Sequence, residues 1–199
     1  MRPIPPCDRR HPLVPRAGSG YLETRRQRDH LSVEWTMPAP GCGPPDLHFD
    51  LAMMAICLDL ARQAAARGEV PVGALITCNG QILAQGHNRC ETHHDPTAHA
   101  ERLVLTAAGR SRGTWRLDGC TLYATLEPCS MCAGAIVLSR LDRLVYGAAD
   151  PKAGACRSLY RLADDPRLNH RVLITPGIMA ESSAALLKSF FQDRRLDVK

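Results

Sequence analysis

Hydrophobic and polar residues alternate with different periods along the chain, and each period marks a different kind of element. In "FDLAMMAICLDLARQAAARG" (49–68), Leu51, Met54, Ala55, Leu58, Ala61 and Ala65 fall on one face at helical spacing, and Gly68 ends the helix. "VGALIT" (72–77), Asn79-Gly80 and "QILAQG" (81–86) predict a β-hairpin closed by a two-residue turn. A helix is expected from about Thr97 to Ala108, with Thr97 available as its N-cap. "CTLYATL" (120–126) reads as a strand, "CSMCAGAIVLSR" (129–140) as a helix and "RLVYGA" (143–148) as a strand. "RVLITPG" (171–177) predicts a last strand, and "MAESSAALLKSFFQDRRL" (179–196) a last amphipathic helix. Helices interleaved with strands imply an α/β layered domain, and no internal repeat is visible.

Composition divides the chain. The first 48 residues hold nine of the fifteen prolines and seven arginines against five acids, with no apolar period. Such a segment buries too little surface to offset chain entropy, so residues 1–46 are expected to be a disordered Pro/Arg-rich extension, with the folded domain over 47–199. The net charge of +5 tolerates a nucleic-acid partner without demanding one. No apolar run reaches the ~20 residues of a membrane span, and no secretory signal opens the chain. Nine cysteines, irregularly spaced apart from one Cys-x-x-Cys, argue against a disulfide framework. They suit a reducing cytoplasm with metal-binding or reactive thiols.

The chemistry concentrates in two short stretches. Cys129 and Cys132 follow Pro128 at a helix opening, where residues three apart share a face and free N–H groups favour thiolates. Two thiolates make half of a tetrahedral zinc site; the redox reading of Cys-x-x-Cys needs a thioredoxin-like context that is absent. His99 also stands at a helix start and supplies a third ligand. A catalytic zinc keeps its fourth place for water, whereas a structural zinc is closed by a fourth protein ligand. Cys90, Cys156, His87, His93 and His94 are the other residues that could close it. Cys120, at the far end of its strand, is some 20 Å away by strand rise. Glu101, two residues past His99, faces a different way on a helix and is poor as a second ligand. It fits either as an acid favoured in the first helical turn or as a proton carrier over an open metal position. His99 and the cysteine pair tilt that choice towards the proton carrier.

His-x-Glu followed by Pro-Cys-x-x-Cys is the signature of the zinc deaminases. The similarity runs wider, through "EVPVGALI" (69–76), "GHNR" (86–89), "HDPTAHAE" (94–101), "TLYATLEPCSMCAGAI" (121–136), "SRLDRLVYGAADPKAGA" (139–155), "NHRV" (169–172) and "FFQDRR" (190–195). Over roughly residues 49–197 the chain resembles the bacterial tRNA-specific adenosine deaminases, in the cytidine-deaminase-like superfamily. That resemblance implies a three-layer α/β/α fold with a five-stranded mixed sheet, a homodimer and one Zn2+ per subunit. The implied substrate is the wobble adenosine of a tRNA anticodon stem-loop, an arginine tRNA with an ACG anticodon, converted to inosine with release of ammonia. His99, Cys129 and Cys132 map onto the zinc ligands and Glu101 onto the proton shuttle. Asn88 maps onto the residue that contacts base and ribose, while Val72, Leu126 and the backbone of Ala100 would line the base pocket. Asp150, Lys152, Arg194 and Arg195 sit where the family meets RNA. The family pattern has Trp, Pro and a basic residue where this chain has His87, Cys90 and His93, departures that flank Asn88. Two other readings remain: a guanine, cytosine or dCMP-type deaminase of the same superfamily, and a non-catalytic zinc-bound RNA-binding subunit.

Overall fold

The computed structural model describes residues 46–196; the extension expected over 1–46 lies outside the described residues except for Asp46. Asp46 begins helix α1 (Leu47–Ala66), two residues ahead of the expected start, because its carboxylate accepts the backbone N–H of His48 at 2.9 Å and that of Phe49 at 3.4 Å. The buried face of α1 carries Met54, Cys57, Leu58, Leu60, Ala61 and Ala64. Of the stripe read from the sequence, Met54, Leu58 and Ala61 are buried, Ala65 is half-buried, and Leu51 and Ala55 are exposed. The reason is a close approach: a Cβ on Gly73 would stand 2.0 Å from the Cys57 carbonyl oxygen. The helix backbone therefore lies directly on the sheet at Gly73, and that contact sets which side faces inward.

Strands β1 (Gly73–Cys78) and β2 (Gln81–His87) form the expected hairpin. Asn79 and Gly80 turn it with φ of 49° and 76°, as a type I′ turn requires. A four-residue helix, α2 (Cys90–His93), follows, then α3 (Ala100–Arg112), β3 (Cys120–Leu126), α4 (Ser130–Leu138), β4 (Arg143–Ala148), β5 (Leu173–Pro176) and α5 (Ala180–Leu196). The strand order is β2-β1-β3-β4-β5, with β1 antiparallel to both neighbours and β3, β4 and β5 parallel. This is the mixed five-stranded sheet expected. Helices α1 and α5 pack on one face, over Leu75, Tyr123 and Val145. Helices α3 and α4 cover the other, over Ala74, Ile76, Leu122, Ala124 and Leu144.

One buried charge pair pins the layers. Asp50 on α1 accepts hydrogen bonds from Arg143 Nη1 (2.8 Å), Arg143 Nη2 (2.6 Å) and the Tyr123 hydroxyl (2.8 Å). A bidentate pair whose lone pairs are filled in this way ties α1 to β3 and β4. Among the described residues, no helix is long and apolar enough to cross a membrane.

Candidate active site

The parallel strand β3 ends at Leu126 and delivers Glu127, Pro128 and Cys129 to the start of α4. Cys129 is the N-cap of that helix, with extended backbone (φ −70°, ψ 175°). His99 is the N-cap of α3, also extended (φ −67°, ψ 148°). Neither side chain makes a capping hydrogen bond. The helix α3 thus starts after His99 rather than at Thr97. The physical reason is Asp95, which accepts the Thr97 backbone N–H at 2.7 Å and its hydroxyl at 2.6 Å, holding Thr97 in the preceding turn. Two helices consequently present their N-terminal turns, with free N–H groups, to one point.

At that point the Cys129 and Cys132 sulfurs each lie 3.6 Å from His99 Nδ1. Tetrahedral zinc with bonds of about 2.3 Å to sulfur and 2.0–2.1 Å to nitrogen separates such ligand atoms by about 3.5 Å. The donor set fits the ion in both chemistry and spacing. Among the described residues, no fourth His, Cys, Asp or Glu joins this group. The other candidates are engaged or turned away. His87 is buried between Arg67 Nη1 (3.2 Å) and the Asn88 carbonyl (2.7 Å), and Cys90 donates to Asn88 Oδ1 at 3.5 Å. Cys120 receives Arg112 Nη1 at 3.1 Å, burial pushes the Cys156 thiol up to about 12, and His93 and His94 are exposed. Three protein ligands with an open fourth place is the catalytic pattern.

Electrostatics divide the labour. The Cys132 hydrogen bond, assisted by His99, pulls Cys129 down to about 3 against the effect of burial. The same bond raises Cys132, so the pair holds one proton between two sulfurs. The hydrogen bond to Cys129 raises His99. Glu101 is 4% exposed, and its pKa is raised chiefly by burial. It stands two residues along α3 from His99 and is charge-coupled to both His99 and Cys129. A buried carboxyl lifted in this way can hold a proton and give it up.

Two further glutamates fasten the rims of the site, and the motif reading assigned neither a role. Glu69 is fully buried and accepts Asn88 Nδ2 at 3.1 Å, the Thr92 N–H at 2.7 Å and the Glu91 N–H at 3.2 Å. It thereby orients Asn88, whose own N–H donates to the Val72 carbonyl at 2.9 Å. Burial works to raise Glu69, but these donors outweigh it and hold the carboxyl below its usual range. Glu127, also buried, accepts the N–H groups of Asp150 (3.1 Å), Cys156 (3.0 Å), Arg157 (2.7 Å) and Ser158 (2.9 Å), and the Ser158 hydroxyl. It is lowered in the same way. Gly154 passes so close to it that a Cβ there would meet the carboxyl carbon at 2.5 Å. An isolated bridge from Cys129 to Gly154 completes the attachment of this loop to the cysteine segment.

Beside the site, a groove of about 1110 Å³ runs between that loop and α5. Leu126, Asp150, Lys152, Arg194 and Arg195 all line it, with Phe191 and Lys188. The structure thus gathers Asp150, Lys152, Arg194 and Arg195, far apart in the chain and placed at an RNA surface by the family resemblance, together with Leu126, which the resemblance placed in the base pocket. Within the groove, Asp150 Oδ1 is occupied by the N–H groups of Lys152 (2.9 Å) and Ala153 (3.2 Å), so it shapes its own turn. Arg194 donates to the Gly68 carbonyl and lies 4.9 Å from the Phe190 ring centroid. Val72 and Ala100 are buried in the core, Ala100 between His99 and Glu101 in the chain.

Residues 47–148 match the family described as the cytidine and deoxycytidylate deaminase zinc-binding region. The chain is 47% identical over 135 residues to the tRNA-specific adenosine deaminase of Bacillus subtilis (strain 168), covering 68% of this chain and 84% of that one. To the tRNA-specific adenosine deaminase of Haemophilus influenzae it is 45% identical over 152 residues, covering 76% and 88%. A solved structure from studies of A-to-I editing by tRNA:A34 deaminases superposes with a TM-score of 0.66 at 42% identity, covering 68% of this chain and 98% of that one. A guanine deaminase from Nitrosomonas europaea superposes with a TM-score of 0.59 at 26% identity, covering 77% and 85%. With this identity spread across the domain that carries the His-Cys-Cys centre, the chain belongs to the tRNA-specific adenosine deaminase family, whose members are zinc-dependent.

Proposed function

We propose that this protein hydrolyses the adenosine at position 34 of a tRNA anticodon loop to inosine and releases ammonia, using the domain of residues 47–199. The observation that carries the reading is the ligand triangle at tetrahedral spacing with the buried, proton-holding Glu101 beside it. His99, Cys129 and Cys132 would hold the zinc ion, which when bound would supply a water acidified to a pKa of ~7 as nucleophile. Glu101 would accept a proton from the attacking water and pass it to N1, then accept the proton of the hydroxyl now on C6 and give it to the departing amine, so that each proton it donates is one it has taken up. Asn88, held by Glu69, contacts base and ribose, while Val72, Leu126 and the backbone of Ala100 line the base. Lys152, Arg194 and Arg195 receive phosphates along the groove, with Asp150 fixing the turn that presents Lys152. An anticodon loop suits such a site because its bases are partly unstacked, so extruding one costs little.

An arginine tRNA with an ACG anticodon is the substrate proposed, in the cytoplasm, with the enzyme as a homodimer. Leu138, Leu159 and Tyr160, all exposed on the described chain, supply apolar surface for a subunit contact. The test is to incubate zinc-loaded protein with that tRNA stem-loop and, separately, with free guanine, cytosine and dCMP, then analyse digested nucleosides. Inosine at position 34 is expected. Turnover of a free base or nucleotide with no inosine in the RNA would overturn the reading in favour of a small-molecule deaminase.

A further inference from the structure

Away from the zinc centre, two thiols face each other. Cys78 is the last residue of β1 and Cys120 the first of β3, and they are direct partners in the antiparallel ladder. Partners in such a ladder point to the same side of the sheet. The Cys120 N–H donates to the Leu117 carbonyl at 3.1 Å and its carbonyl accepts the Asp142 N–H at 3.3 Å, so neither backbone group turns to Cys78. Cys78 in turn closes the type I′ hairpin against Gln81 on its other side. This makes 78–120 a non-hydrogen-bonded pair, the narrow kind with Cα atoms about 4.5 Å apart. That separation lies within the span a disulfide bridges. Both cysteines are free thiols, and Arg112 Nη1 donates to the Cys120 sulfur at 3.1 Å. Cys78 is half-buried, whereas Cys120 is fully buried.

We propose that Cys78 and Cys120 form a redox-active dithiol that closes to an intramolecular disulfide by exchange with a small disulfide of the glutathione type. The Cys78 thiolate attacks one sulfur of glutathione disulfide, forming a mixed disulfide and expelling one glutathione thiolate. Cys120, deprotonated beside Arg112, then attacks the Cys78 sulfur and expels the second glutathione. Two protein thiols are oxidised, one glutathione disulfide is reduced, and the two protons end on the two glutathione thiols. Burial first, and then the neighbouring Cys78, hold the Cys120 thiol up at about 11 in the reduced protein. Converting Cys78 to a mixed disulfide removes its contribution, so that Arg112 opposes burial alone. The bond encloses the chain from β1 to β3, which carries Asn88, His99 and Glu101. Closing a loop of that length raises the melting temperature by roughly 10 °C.

The test uses the full chain loaded with zinc, treated with oxidised glutathione and mapped by mass spectrometry under non-reducing conditions. A Cys78–Cys120 cross-linked peptide is expected, together with a higher melting temperature that dithiothreitol reverses. Cys120→Ser should instead retain one glutathione on Cys78, and Cys78→Ser should take up none at Cys120. The proposal is overturned if the wild type keeps glutathione on Cys78 without cross-linking. It is equally overturned if oxidation joins Cys129 to Cys132 while Cys78 and Cys120 remain free.

Discussion

Glu101 and Glu69 are both buried acids within one small region, and they titrate in opposite directions. Glu69, 0% exposed, is held below the usual carboxylate range; Glu101, 4% exposed, is pushed above it. Burial penalises both charges. What separates them is donors: three N–H groups from the 88–92 segment converge on Glu69, and four plus a hydroxyl converge on Glu127. Glu101 has its own backbone N–H and the Cys132 thiol, too little to compensate. A carboxylate saturated with donors is a fastener, and a carboxyl left short of them is a proton carrier. Glu69 and Glu127 hold the rims of the site, and Glu101 is the group to which the proposed function gives the proton.

The contrast can be broken most sharply at Glu101. Glu101→Ala is expected to lower inosine formation by about 10²–10⁴-fold while metal analysis still finds one zinc per chain. Zinc loss in that variant would make Glu101 a ligand and undo the division of roles. Glu127→Ala should act on stability instead. Losing a buried anion that satisfies four backbone N–H groups costs about 3 kcal/mol in urea unfolding and exposes the 150–158 loop to proteolysis. Glu69→Gln should cost less, about 1–2 kcal/mol, because one amide oxygen still accepts while the new NH2 opposes a backbone donor. Its kinetic mark is a raised KM, since Asn88 loses its orientation.

The smallest effect is in pH. Glu69 has a folded pKa below its ordinary 4.5, so the unfolded chain binds its proton first. The stability that wild type gains over Glu69→Gln is therefore complete above pH 4.5 and shrinks as pH falls through the folded-state value. Thermal melts of both proteins across this range should converge on acidification; a gap that stays constant would show that the carboxylate's charge is not what the loop requires.

Much of this was legible in the residues. The Asn79-Gly80 turn, the strands 120–126 and 143–148, and the His99, Cys129, Cys132 set all follow from local pattern and spacing, and the structure brings the three ligands to within hydrogen-bonding distance. The misreadings are tertiary in origin. Thr97 looks like an N-cap until Asp95 is seen to occupy both its donors. Leu51 and Ala55 look like core until Gly73 fixes the side on which α1 meets the sheet. Glu69 and Glu127 carry no periodic signal: an acid at the start of a loop reads as a solvated charge, and only the folded loops reveal the donors around it. The groove joins the loop after β4 to α5, and nothing local in either segment announces the other.

The placement of β3 also has a consequence in time. It separates His99 from Cys129 in the chain, and it pairs antiparallel with β1 and parallel with β4. Helix α3, which begins after His99, packs on β1 and β2, and Cys129 follows β3, so the long-range pairing of β1 with β3 brings the two halves of the site together. Long-range strand pairing is among the slower steps of folding. Zinc capture is accordingly expected late in the maturation of a newly made chain, and in refolding the rate at which the ion becomes resistant to chelators should follow the docking of β3 rather than the formation of either helix.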